Sequence, residues 1–309
     1  MQYNIIYLCA MLYYRRKLLL AVLEAFGGTL TSKMLQKYLF LITRGQEAKS
    51  FDFVPFKYGC FSFQANQDLQ TLVTLGYLEN ATIDASSGYT LKSGVSTLKE
   101  LDMFDKQQIF SVWNEFGHYT QDELIKYVYI KAPFYAINSV IAERLLSSEE
   151  LAKVAAQRRH IDEHRLFTIG YEGISLEAYI TQLILKDIRV LCDVRKNAYS
   201  RKFGFSKVQL QKACLGVGIK YIHIPELGIE SEKRKELKTQ ADYNELFDEY
   251  EATSLKENSQ YLNIIVGLLS SEGRVALTCF EKSPLMCHRS RVARAVLSLP
   301  EVDVPLTNI

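Results

Sequence analysis

The 309-residue chain predicts an α/β protein whose C-terminal part is a mostly parallel sheet with helices on both faces, preceded by a mainly helical domain. Three observations carry this. Downstream of about residue 160, short apolar runs alternate with amphipathic segments; upstream, apolar positions recur at helical spacing in a stretch rich in Leu, Tyr and Gln. Between them, "LAKVAAQRRHIDEHR" becomes charged toward its end, as linkers do. Residues 1–150 therefore read as a helical module, 151–164 as a linker and 165–309 as the sheet domain.

In the first part, "RKLLLAVLEAFGG" predicts a helix stopped by Gly27 and Gly28, and "TSKMLQKYLFLITRG" a second one begun at Thr31 or Ser32 and closed by Gly45. An aromatic loop, "FDFVPFKYGCF", leads into a third helix that turns at Gly76. The segment "ATIDASSGYTLKSG" predicts two short strands around Ser86, Ser87 and Gly88. Three helices and a hairpin make a winged-helix-like pattern, with Tyr58, Phe61 and Phe63 expected in its core.

In the second part, "RLFTIGYEG" predicts a strand ending in a glycine turn, and "SLEAYITQLILKD" a helix capped by Ser175. A strand "IRVLCDVR", a helix after Ser206, a strand "IKYIHIPELG", a strand "RVALTCFEK" and a helix "RSRVARAVLSL" follow. Strands alternating with helices predict parallel pairing.

Composition excludes several classes. Hydrophobic residues make up 48% and charged residues 23%, ordinary for a folded chain and unlike a disordered one. The apolar start is broken by Arg15, Arg16 and Lys17 before it reaches bilayer length and has no secretory cleavage pattern, so a cytoplasmic protein without a membrane partner is expected. Six scattered cysteines (Cys9, Cys60, Cys192, Cys214, Cys279, Cys287) predict reduced thiols. No metal is expected: short-spaced Cys or His pairs are absent, and adjacent Cys287 and His288 are not expected to turn onto one ion. No cofactor is expected either, since neither a GxGxxG nor a phosphate-loop lysine motif occurs. Net charge is only +2, so any affinity for phosphate must come from local clusters.

Ligands of open parallel sheets bind beyond the carboxyl ends of the strands. Here those ends supply Gly170, Tyr171, Glu172 and Gly173; Asp193 and Arg195; Pro225, Glu226 and Gly228; and Cys279, Glu281, Lys282, Cys287, His288 and Arg289. Glu172, Asp193 and Glu281 are the candidate catalytic carboxylates, with Glu226 beside them, because clustered acids split into proton donor and base or nucleophile, as glycosidic cleavage requires. From Arg195 to Lys212 the chain has six basic residues and no acid, with Tyr199, Phe203 and Phe205 interleaved. Such a loop, Arg201 included, suits phosphate neutralisation and stacking on a ring. Cys287, before a helix and beside His288 and Arg289, offers a second chemistry through a lowered thiol pKa. It lacks the arginine six residues on that a cysteine phosphatase uses, since position 293 is Ala293.

The segments "TIGYEG", "VLCDVRKNAYSRKFGFSK", "YIHIPELG" and "LTCFEKSPLMCHRSRVA" resemble, in this order, the motifs of the domain of unknown function 488 family. That resemblance implies a Rossmann-like domain over residues 165–298 and no particular activity. Ala198 stands where the family usually has proline. The phrases "PFKYGCFSFQANQDLQTLVTLGYL" and "DELIKYVYIKAPFYAIN" resemble winged-helix-like modules of bacterial antitoxin-type and defence-associated proteins, over residues 16–140.

The expectation is thus an enzyme that hydrolyses or transfers at a glycosidic or phosphate-linked centre of a nucleotide or nucleic-acid-like substrate. Thiol-dependent transfer through Cys287 and a non-catalytic nucleotide-sensing DNA-binding regulator are the alternatives.

Overall fold

A computed structural model describes residues 12–234 and 237–309, without the side chains of Ser231 and Arg234. The expectations for the first eleven residues, Cys9 among them, lie outside the described residues. The chain divides into two compact units at Arg158–Arg159.

In the first unit, α1 (Tyr14–Ala25) buries Leu18 to Leu23 without a break, and Gly27 and Gly28 then turn the chain with positive φ. Strand β1 (Thr29–Thr31) runs into α2 (Ser32–Thr43), where the Thr31 hydroxyl accepts from the Met34 amide at 3.2 Å. The expected aromatic loop is a hairpin, β2 (Val54–Phe56) and β3 (Gly59–Phe61), leading into α3 (Phe63–Thr74). Tyr58, at its tip, is 39% exposed rather than a core residue. Strands β4 (Leu78–Ile83) and β5 (Ser86–Leu91) complete a three-stranded antiparallel sheet in the order β1-β5-β4. Its turn falls at Asp84 and Ala85, both with positive φ, two residues earlier than the Ser-Ser-Gly run predicts. Gly88 is a strand residue for a different reason: a Cβ there would lie 2.4 Å from the Leu30 carbonyl oxygen of β1. Helices α4 (Met103–Phe116), α5 (Gln121–Lys131), α6 (Ala142–Leu145) and α7 (Ser148–Ala155) follow. Residues 151–155 of the expected linker are therefore the end of a helix, because Ser147 and Glu150 form a capping box that starts it just upstream.

The second unit is Rossmann-like. Its elements are β6 (Arg165–Gly170), α8 (Leu176–Leu185), β7 (Val190–Asp193), α9 (Lys207–Gly216), β8 (Lys220–His223), α10 (Gln240–Tyr250), α11 (Leu262–Glu272), β9 (Arg274–Cys279), α12 (Arg289–Leu297) and β10 (Leu306–Asn308). The five strands are all parallel, in the order β10-β6-β9-β7-β8. One face of the sheet, with Val190, Cys192, Val275 and Leu277, packs on Phe247, Ile265, Leu269, Val292 and Val296 of α10, α11 and α12. On the other face, the Tyr179 hydroxyl of α8 donates to Thr278 at 2.7 Å. Each fully buried aliphatic side chain contributes about 1.5–3 kcal/mol, which explains why both faces are covered. Ser175 caps α8 as predicted, its hydroxyl accepting from the Ala178 amide. Ser206 precedes α9 but makes no cap bond; its hydroxyl ties the upstream loop by accepting from the Ser200 amide and donating to the Ser200 carbonyl.

Register decides where the chemistry gathers. Gly170 pairs with Cys279, and Asp193 with Thr278 and His223, so four strands finish within about one residue of each other along one edge. No helix among the described residues is long and apolar enough to cross a membrane.

Candidate functional site

At that edge the Asp193 carboxylate is completely buried. It accepts from the Arg195 amide (3.1 Å), Arg195 Nε (2.8 Å), Arg195 Nη2 and the Tyr221 hydroxyl (2.6 Å). Arg195 Nη1 donates to the Tyr171 hydroxyl at 2.6 Å, and the Arg195 carbonyl accepts from His223 Nε2 at 2.8 Å. Burial works against the Arg195 charge, but its bonds to Asp193 hold the guanidinium firmly protonated. Burial, reinforced by the neighbouring Asp193 charge, pushes the Tyr221 phenol well up. Burial also raises Tyr171, whose ring stacks on Phe205 at 4.3 Å. Asp193 is thus a structural anchor whose oxygens are already occupied.

The other expected carboxylates do not join it in one pocket. Glu172 is exposed and accepts from the Lys282 amide at 2.9 Å. Glu226 lines a separate cavity of about 300 Å³ with Lys196, Gly228, Glu230, Lys233 and Glu249. Glu281 lies against Cys279, with Oε2 3.4 Å from the sulfur. Four strand ends supply carboxylates, yet side-chain direction sends them to different places, which strand order alone does not reveal.

What the strand ends do surround is a second cavity, also about 300 Å³. Its wall is the 195–202 segment, with Arg195, Lys196, Tyr199, Arg201 and Lys202; Tyr171, Ile229, Phe280, Cys279 and His288 complete it. No carboxylate is among the lining residues. Tyr199 is 71% exposed, and neither Lys196 nor Arg201 forms an ion pair among the described residues. Lys202 Nζ donates to the Tyr171 carbonyl at 2.8 Å; burial lowers its pKa.

Beneath this wall the 279–289 segment is tightly fixed. Arg289 is 1% exposed and donates to the carbonyls of Glu281 and, at 3.0 Å, Lys282. The amides of Tyr171 and Glu172 both donate to the Phe280 carbonyl. Gly170 is required by contact rather than by chemistry, since a Cβ there would fall 1.9 Å from the Glu281 carbonyl oxygen. Gly228 plays the same part against the Lys196 amide, at 2.0 Å.

Cys287 is fully buried, and burial together with a hydrogen bond to Cys279 drives its thiol well above the ordinary range. The lowered pKa expected from the helix start is therefore reversed: desolvation outweighs the charge of Arg289. A second correction concerns geometry. The sulfurs of Cys279 and Cys287 and a ring nitrogen of His288 all lie within 4.8 Å of one another. Adjacent residues 287 and 288 converge because Cys287 is extended (φ −140°, ψ 133°) while His288 is already helical (φ −63°, ψ −20°). Cys279 stands among the strand-end residues of the sequence, whereas Lys196, Lys202, Tyr221 and His223 were not singled out individually.

Residues 175–296 match the family model described as "Domain of unknown function DUF488". Among curated proteins, none matches the chain.

Proposed function

We propose that this protein, whose residues 175–296 match the DUF488 family, a family whose description names no activity, binds a phosphate-bearing, ring-containing ligand, a nucleotide or the end of a nucleic acid, at the strand ends of the parallel sheet. The observation that carries this is the wall of the cavity. It presents Lys196, Arg201 and Lys202 beside Tyr199 and Tyr171, with no acid among the lining residues. Cations neutralise phosphate, and an exposed tyrosine offers a face for stacking. Hydrolysis through paired carboxylates is not part of the reading, because Asp193 has spent its oxygens on Arg195 and Tyr221.

The first unit supports a nucleic-acid partner. Helix α3 precedes the β4–β5 hairpin as the reading helix precedes the wing in a winged-helix module, and its exposed positions include Gln67, Gln70 and Thr74. Its one acid, Asp68, is turned inward onto Arg15 and Arg16. Amide side chains without acids suit base edges and phosphates.

The test is binding of a labelled mononucleotide and a labelled single-stranded oligonucleotide to the full chain across a salt series. Binding that weakens linearly in log salt supports the reading. If neither probe binds at low salt, a nucleotide is the wrong ligand and the proposal fails.

A further inference from the structure

We propose that Cys279, Cys287 and His288 form a transition-metal site, selective for zinc, with one coordination position open to the basic cavity. Three independent features converge. The three donor atoms already lie within 4.8 Å of one another, and Cys279 Sγ is 3.6 Å from His288 Nδ1. With metal–sulfur and metal–nitrogen bonds of about 2.0–2.3 Å, ligand atoms of a tetrahedral site stand roughly 3.5–4 Å apart, so closure on an ion needs movements of about 1 Å or less.

The second feature is the histidine. His288 Nε2 is 2.7 Å from the Val194 carbonyl oxygen, which only accepts, so Nε2 carries the proton. A neutral imidazole in that tautomer presents its Nδ1 lone pair to the two sulfurs. An outward N–H held by a backbone carbonyl is the support that fixes metal-ligating histidines.

The third is access. All three residues are buried, yet Cys279 and His288 border the cavity whose wall is Lys196 to Lys202. Two thiolates and an imidazole favour zinc among common divalent ions, and three protein ligands leave a fourth position for water or a ligand atom. Glu281 Oε2, 3.4 Å from Cys279 Sγ, accepts from that thiol. The site is independent of the nucleotide reading, since the metal is assayed without any ligand.

The experiment uses the full chain, purified without chelator or metal-affinity resin under reducing conditions. Metal content is measured as isolated and after exposure to zinc and removal of excess, and cobalt(II) is then substituted for optical spectroscopy. Close to one zinc per chain is expected, with a thiolate-to-cobalt charge-transfer band. Cys279→Ser and Cys287→Ser should each weaken zinc binding by more than the roughly 10–100-fold that loss of an outer-shell partner costs. The proposal is overturned if zinc-treated wild-type protein stays metal-free, or if the double cysteine variant holds zinc as tightly as wild type. Should the variants fail to fold, judged by circular dichroism, the wild-type cobalt spectrum decides: absence of the charge-transfer band overturns the site.

Discussion

Arg195 and Arg201 lie six residues apart on one segment and do opposite work. Arg195, 5% exposed, is clamped by Asp193 and Tyr171 at the root of the segment. Arg201 is exposed at its outer part and forms no ion pair among the described residues. Both line the same cavity. The difference shows that charge in a pocket is not by itself a binding group: a cation whose donors are consumed by a buried carboxylate shapes the site, and only one with donors to spare grips an anion.

The contrast is broken or sharpened most forcefully at the root. Arg195→Met leaves the Asp193 carboxylate buried without its cation and should cost about 3–5 kcal/mol of folding stability. Chemical denaturation of the full chain reads this as a lowered midpoint; a loss below about 1 kcal/mol would deny Arg195 its structural role. At the outer part, Arg201→Ala should change stability by no more than about 0.5 kcal/mol. It should instead flatten the dependence of log affinity on log salt by nearly one unit for an oligonucleotide probe. An unchanged slope removes Arg201 from the ligand grip. A further comparison sets two serines that precede neighbouring helices side by side. Ser175→Ala should cost about 1 kcal/mol through the lost cap. Ser206→Ala should cost less but speed hydrogen exchange at the Ser200 amide, which its hydroxyl holds. Equal exchange in both variants would show that Ser206 does not tether the segment.

Much of this was legible in the sequence. Period and caps located β6, α8, β7, α9, β8, β9 and α12, because buried parallel strands are continuous apolar runs and Ser175 is a strong start signal. Strand β10 escaped notice: three residues after a proline carry little pattern, and only pairing with Leu166 to Thr168 defines them. In the candidate site, the acid-free loop was readable from composition. The fate of Asp193 was legible only in part: an ion pair with Arg195, two residues on, was the alternative that the sequence offered, but the second partner, Tyr221, lies on another strand. The convergence of Cys279 with Cys287 and His288 was hidden by a backbone kink at 287–288 that residue spacing does not encode.

Gly170 and Gly228 carry one more consequence. At each, the obstruction to a β-carbon is another stretch of main chain, which no rotamer change relieves. In an exhaustive library of single substitutions, every replacement at these two positions would drop out, alanine included. A screen scored on activity would then rank them beside true contact residues although neither has a side chain to offer. Survival scored on protein abundance would separate the two kinds of position, because the glycines would vanish there as well while Arg201 and Tyr199 variants would persist.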